Sequence, residues 1–293
     1  MTSGRLALAA PAKINLALAV LGRRGDGFHE LVTVMQTVDL CDEITLSVRD
    51  REASDEHGVT LELTGPYAGD LGEPLSNLAV RAAEALLQRA GKEREVAVQV
   101  ALDKRIPAGG GLGGGSSDAA AVLIGLNQLL GDPCTPDALH ELAASLGSDV
   151  PFFLYGGCAL CTGRGEIVRP IEGPQPFEVT LVMPDVALST AAVYTALAEM
   201  REGDTSPPDT EALVARVAGA TPETLESQFV NDLQPAAIKL QPGLGEWIEQ
   251  HHLHLSGSGS TLFAFGDRAA DLGPACPSAL ICSARSTSGK HRA

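Results

Sequence analysis

The sequence predicts an α+β fold in two domains. Strand-like alternation occurs in neighbouring pairs and helical spacing in consecutive runs, so the regular βαβ order of a doubly wound sheet is missing. The chain has 293 residues, more than one small domain usually holds. A composition change near Tyr155-Gly156-Gly157 divides it into an N-terminal domain, residues 1–155, and a C-terminal domain, residues 156–293.

Residues 5–21 alternate apolar with small or polar residues, which predicts a strand or hairpin edge around Ala12, Lys13, Ile14, Asn15 and Leu16. Gly22–Gly27 has turn composition, and Phe28, His29 and Glu30 lead into an apolar stretch through Leu40. Ile44, Leu46 and Val48 alternate, as do Val59, Leu61 and Leu63, with the charged loop Arg49–Gly58 between them. Leu78, Ala82, Ala85 and Leu86 place a helix over Asn77–Ala90, stopped at Gly91. Val96, Val98, Val100 and Leu102 form a strand. A glycine-rich segment, Pro107–Ser117, precedes an apolar helix from Asp118 to Leu130 that ends at Gly131-Asp132-Pro133. Thr135 caps a further helix to Leu146, with Pro136 at its first position. Beyond Gly157, Phe177–Met183 reads as a strand, Thr190–Met200 as a helix and Gly203–Thr210 as a loop. Glu223–Phe229 and Pro235–Leu240 read as short helices. His252–Ser256 and Thr261–Phe265 read as strands about the turn Gly257–Gly259, and Ser286–Ala293 as a frayed tail.

With 21 basic and 37 acidic residues the net charge is −16, which argues against a nucleic-acid coat or an anionic-membrane binder. No window approaches the roughly 18 apolar residues of a membrane span, and Lys13 and Asn15 interrupt the apolar N-terminus before a signal segment forms. A cytoplasmic protein is expected. Only 4% of residues are aromatic, so the core must come from Ala, Leu and Val. Six cysteines in a chain this long are no disulfide framework. Cys158 and Cys161 have metal spacing, but three residues apart on a strand they point to opposite faces, which predicts a buried, inert pair. His251, His252 and His254 lack a third ligand or acidic partner and read as surface histidines.

Six of the seven residues from Gly109 to Gly115 are glycine. Such a run costs chain entropy and needs a reason. Without Cβ atoms, successive N–H groups can wrap an anion, and the helix that follows favours phosphate at its N-terminus. That solves the problem a charge of −16 poses for a phosphate ligand. Gly110 to Gly115 has Walker spacing, but Ser116 stands where that loop needs Lys. Gly109, Gly111 and Gly114 match the dinucleotide fingerprint, yet Lys104–Pro107 separate them from the strand, unlike a Rossmann turn.

The segment Pro107–Ser117 resembles the phosphate loop of the GHMP kinases. Pro11–Leu16, Arg24–Glu30 and Gly147–Phe153 resemble the members acting on a cytidine diphosphate sugar alcohol, and Leu255–Ser260 is similar to the family's third glycine motif. The resemblance spans roughly residues 10 to 265. It implies a two-domain fold: an N-terminal ATP-binding domain similar to ribosomal protein S5, and a C-terminal GHMP domain of α/β-plait type. It also implies ATP-dependent phosphorylation of the 2-hydroxyl of 4-diphosphocytidyl-2-C-methyl-D-erythritol, in the non-mevalonate route to isoprenoid precursors, with Mg²⁺ expected. Lys13 and Asp149 then become the catalytic pair. Lys104, Pro107, Ala108, Gly109, Gly110, Gly111, Leu112, Gly113, Gly114, Gly115, Ser116 and Ser117 fall on the ATP side, with either serine a possible metal ligand. Asn15, Phe28, His29 and Thr190 fall on the substrate side, Phe28 stacking on cytosine and His29 bonding its edge; the family commonly carries Tyr at the position of Phe28. Another GHMP small-molecule kinase, mevalonate- or homoserine-kinase-like, and a non-catalytic nucleotide- or RNA-binding module on the S5-like fold stand as alternatives.

Overall fold

A computed structural model describes residues 3–70, 76–201 and 209–288. Its first half is built on one long hairpin. Strands β1 (Gly4–Arg23) and β2 (His29–Asp50) pair antiparallel through almost their whole length, with register shifts at Pro11/Ala12 and Asn15/Ala17. β3 (Val59–Thr64) follows, then α1 (Leu78–Ala90), capped by the Asn77 side chain and closed by Gly91 in the left-handed region. β4 (Val96–Asp103) pairs with β2 and, in parallel, with β3. The helices α2 (Gly114–Leu129), α3 (Pro136–Leu146) and α4 (Val150–Tyr155) come next. β5 (Cys158–Thr162) and β6 (Ile167–Pro170) then return to the same sheet, β5 on β2 and β6 on β5.

The second half supplies β7 (Glu178–Pro184), α5 (Thr190–Met200), α6 (Thr210–Val217), α7 (Pro222–Ser227), β8 (Val230–Asn231), α8 (Gln234–Leu240), α9 (Pro242–His251), β9 (His254–Leu255), β10 (Leu262–Phe265), α10 (Ala269–Ala275) and β11 (Ala279–Arg285). Its sheet runs β11-β7-β10-β9, while β8 pairs in parallel with β1 at Ala17 and Leu18. Three cores result. One lies between the first sheet and α1, α2 and α4, where Leu46, Leu86, Leu123, Phe152 and Phe153 are buried. The second lies between the sheets, Ile14 and Val34 meeting Leu181 and Phe263. The third packs α5, α8 and α9 on the second sheet. Alanine, leucine and valine dominate all three, as the aromatic-poor composition requires.

Several elements differ from the sequence reading. Helix α2 begins at Gly114, inside the glycine run, because packing of its Ala119–Leu126 face outweighs glycine's poor helix propensity. The two stretches read through Leu40 and at Ile44–Val48 are one strand. The expected loop Gly203–Thr210 lies outside the described residues except at Asp209 and Thr210, where α6 starts. The supposed tail is tied down at its start: Thr287 N donates to Thr37 O at 2.9 Å, Gln36 Nε2 donates to Thr287 O at 2.8 Å, and the two threonine hydroxyls bond at 2.6 Å. His254 is not a surface residue. Its ring packs 4.3 Å from that of Phe229 and 5.5 Å from that of Phe263. Its Nε2 is buried with no hydrogen-bond partner among the described residues, and burial, followed by His252, lowers its pKa to about 4. Cys158 and Cys161 are buried, free thiols on β5; burial pushes both up, Cys158 to about 12.

Candidate active site

A cavity of about 900 Å³ is bounded by β1, the β1–β2 turn, the glycine loop, the start of α4, α5 and the β9–β10 turn. Lys13 and Asn15, two apart on β1, point the same way into it. Both are buried. Lys13 Nζ donates to Asn15 Oδ1 at 2.7 Å, Asn15 Nδ2 to Thr33 Oγ1 at 2.8 Å, and Thr33 Oγ1 to Ala17 O at 2.7 Å. Asp149 approaches from the start of α4. It occupies the N-cap position, but its side chain makes no cap hydrogen bond. Its carboxylate instead lies 3.8 Å from Lys13 Nζ. Burial lowers the Lys13 pKa from its ordinary value, and Asp149 opposes that shift.

The glycine loop forms the opposite wall. Gly109, Gly111 and Gly113 have positive φ and alternate with residues that do not, the backbone pattern of an anion-binding nest. The conformation is enforced from behind. A Cβ on Gly111 would collide with Ser256 O, and one on Gly113 would stand 2.9 Å from the Phe153 ring and 3.2 Å from Lys13 Cγ. Gly113 caps α2 without a side chain, and no acidic residue sits in the first turn, so the helix N-terminus keeps its amide donors. The loop also grips the β9–β10 turn: Ser256 Oγ donates to Gly111 O at 3.0 Å and Thr261 N to Gly110 O at 3.1 Å. Asn231 anchors that turn, donating to Leu255 O and Gly257 O, each at 2.9 Å.

Of the residues expected on the ATP side, Pro107, Ala108, Gly109, Gly110, Gly111, Gly113, Gly114, Gly115 and Ser116 line the cavity. Leu112, Ser117 and Lys104 do not. Leu112 is turned into the core between the sheets, although its carbonyl accepts from Lys13 N at 2.9 Å. Ser117 is fully buried, its Oγ with no hydrogen-bond partner among the described residues. Lys104, read as a nucleotide-side residue, lies beneath the loop: its ammonium is taken up by the carboxylates of Asp42 and Asp118. Burial raises Asp118 to about 8 despite Lys104.

Asn15, Phe28, His29 and Thr190 all line the cavity. Phe28 is 47% exposed, with the Arg164 guanidinium 4.8 Å from its ring centroid. Thr190 Oγ1 and Ser258 Oγ bond at 3.0 Å. His29 stacks on Tyr194, centroids 4.7 Å apart, and burial, then Arg23, lowers its pKa. Tyr194, Arg164, Arg23 and Ser148 are cavity residues the sequence reading passed over. Tyr194 carried one usable signal, lying four residues after Thr190 on the same face of α5. Arg164 lies in a short turn with no periodicity. Among lining residues Lys13, Arg23 and Arg164 oppose the carboxylate of Asp149, so the cavity is locally positive in a chain of net charge −16. Among the described residues no group of three or more His, Cys, Asp or Glu side chains is placed to hold a metal, and no helix is long and apolar enough to cross a membrane.

Residues 77–157 match the model of the GHMP kinases N terminal domain. The 4-diphosphocytidyl-2-C-methyl-D-erythritol kinase of Mycolicibacterium gilvum is 42% identical over 249 residues, 83% of this chain and 74% of that protein. The kinase of the same name from Geobacter metallireducens is 41% identical over 266 residues, covering 88% of each chain. A crystal structure of 4-(cytidine 5'-diphospho)-2C-methyl-D-erythritol kinase superposes with a TM-score of 0.73 at 34% identity, covering 97% of this chain and 100% of the other. Homoserine kinase from Cytophaga hutchinsonii, at 22% identity and a TM-score of 0.72 over 98% of this chain and 96% of that one, shares the fold.

Proposed function

The chain belongs to the 4-diphosphocytidyl-2-C-methyl-D-erythritol kinase family of the GHMP kinases, and from that premise we propose that the cavity transfers the γ-phosphoryl group of ATP to the 2-hydroxyl of that cytidyl compound. The products are the 2-phosphate and ADP. The observation that carries the reading is Lys13 Nζ, 3.8 Å from Asp149 Oδ2, facing a nest of glycine amides at the start of α2.

Phosphoryl transfer needs positioning and charge neutralisation more than covalent help. The glycine-loop amides and the α2 N-terminus bind the phosphates. Among the described residues Lys13, at 3.8 Å, is the one ion-pair partner of Asp149, so its carboxylate is free to orient the attacking hydroxyl and accept its proton. Lys13, fixed by Asn15 and Leu112, places a positive charge where the transition state gains negative charge. A depressed Lys13 pKa suits a cation that is poorly hydrated and therefore strongly felt. On the other side, the exposed face of Phe28 takes the cytosine ring, His29 its polar edge, and Asn15 and Thr190 the groups between base and acceptor. Arg23 and Arg164 match the diphosphate charge.

Mg²⁺ fits this cavity. It takes one or two protein oxygens and fills the rest of its shell with phosphates and water, so no protein cage is required. Ser116, which faces the cavity, would hold it together with phosphate and water oxygens, whereas Ser117 is buried away from it. Bound with the nucleotide, the metal neutralises phosphate charge. In this reading residues 1–155, with β5 and β6 completing their sheet, form the ATP-binding domain, and the C-terminal domain contributes Thr190 and Ser258 to the acceptor side. Six free thiols suit the reducing cytoplasm, where ATP is supplied. The test is ADP release with the cytidyl substrate offered beside mevalonate, homoserine and galactose. Release with one of the other three and none with the cytidyl compound overturns the substrate.

A further inference from the structure

We propose that Lys104, Asp42 and Asp118 form a clasp that closes the two ends of the phosphate loop and so positions its amides for the nucleotide. The inference rests on the kinase reading above. Lys104 lies just before the loop, past the end of β4, and Asp118 lies in the second turn of α2, just after it. Lys104 Nζ donates to Asp118 Oδ2 at 2.9 Å and to Asp42 Oδ2. Asp42, on β2, also accepts the backbone N–H groups of Arg105 at 2.6 Å and Ile106 at 2.8 Å through Oδ1. All three side chains are at most 2% exposed. The clasp therefore joins the strand before the loop, the helix after it and the central hairpin. The side chain of Arg105 takes no part, being turned outward to Asp103 and Glu43.

The clasp bears directly on the loop. A Cβ on Gly114 would stand 2.9 Å from Lys104 Nζ, so the ammonium lies immediately under the first residue of α2. A glycine-rich loop loses much chain entropy on binding unless its ends are already fixed. Fixing them in the free protein lowers that cost, and the gain appears in nucleotide affinity and not in acceptor affinity. None of the three residues lines the cavity, so they are positioning residues, not catalytic ones.

Two changes test this, with ADP and the cytidyl substrate titrated separately by calorimetry. Asp118→Ala leaves Lys104 short of one partner and should weaken ADP by about tenfold or more, with cytidyl affinity held within about twofold. Asp118→Asn keeps an oxygen for Lys104 and should recover most of the loss. The double change Lys104→Met/Asp118→Leu removes the ammonium and one carboxylate together and leaves Asp42 its two amide donors, so it should fold, at a lowered melting temperature because Asp42 loses its cation. Its ADP affinity should fall as in Asp118→Ala while its cytidyl affinity stays within about twofold of the wild type. Should the double variant bind ADP as the wild type does, or lose both ligands in parallel, the clasp has no positioning role. Should the wild type bind no nucleotide at all, the kinase reading fails first and the clasp with it.

Discussion

Lys13 and Asp149 face each other across the cavity at 3.8 Å, longer than a hydrogen bond and short enough for strong attraction. Lys13 is meanwhile bonded to Asn15 at 2.7 Å. The ammonium is held by a neutral amide, and the carboxylate opposite it is left open to a hydroxyl.

Lys13→Met and Asp149→Asn should each slow phosphoryl transfer in single-turnover experiments, by about 10²–10⁴-fold for Asp149→Asn if it accepts the proton. Both substrates should still bind within about tenfold, because these charges act mainly in the transition state. The double variant should lose less than the product of the single losses. Near wild-type transfer in both single variants would remove the pair from the chemistry.

Phe28→Ala should weaken the cytidyl substrate by about 1–3 kcal/mol, the range for base–aromatic stacking, and leave ATP affinity nearly unchanged. Phe28→Tyr should be mild. Arg164 already covers one face of the ring, so the base must take the other. Loss of ATP with retention of the cytidyl substrate would put Phe28 in the wrong half of the cavity.

Gly111→Ala and Gly109→Ala separate strain from collision. Both positions have positive φ, which costs an alanine about 1–2 kcal/mol. Among the described residues nothing lies within 4 Å of a Cβ at Gly109, while at Gly111 it collides with Ser256 O. Urea unfolding should show the Gly111 variant as clearly the less stable of the two. Equal stabilities would mean that the β9–β10 turn yields freely to the loop.

His254 gives a pH signature. Its folded pKa, about 4, is below its ordinary 6.5. The stability it contributes is therefore present above about pH 6.5 and is lost as pH falls through 4, up to about 3 kcal/mol in all. His254→Phe should flatten the fall in unfolding free energy between pH 7 and 4. Parallel curves for the two proteins would show that His254 opens to water before it titrates.

What the sequence made legible is what is local. Asn77 and Gly91 bracket α1, Thr135 caps α3, and glycine spacing exposes the phosphate loop, because each signal needs only its own neighbours. The catalytic pair needed the family resemblance, since nothing local brings residue 13 to residue 149. Asp42, Arg164, Tyr194 and Asn231 were missed for the same reason: sheet pairing and domain contact, not spacing, bring them to the loop and the cavity. Helix α4 has only six residues, too few for a period to show. Lys104, placed on the nucleotide side by the resemblance, lies beneath the loop, and no local signal reveals the two buried carboxylates that hold it there.

The bonds between Thr37 and Thr287 also bear on how the protein is made. The partners are 250 residues apart. A ribosome adding about 5–20 residues per second needs on the order of 12–50 s to cover that distance. Throughout that interval the middle of β2, the strand against which β1, β4 and β5 all assemble, lacks the segment that covers it at Gln36–Val38. The nascent chain thus carries an incomplete central sheet until Ser286 and Thr287 emerge, the stage at which a holding chaperone has most to offer it.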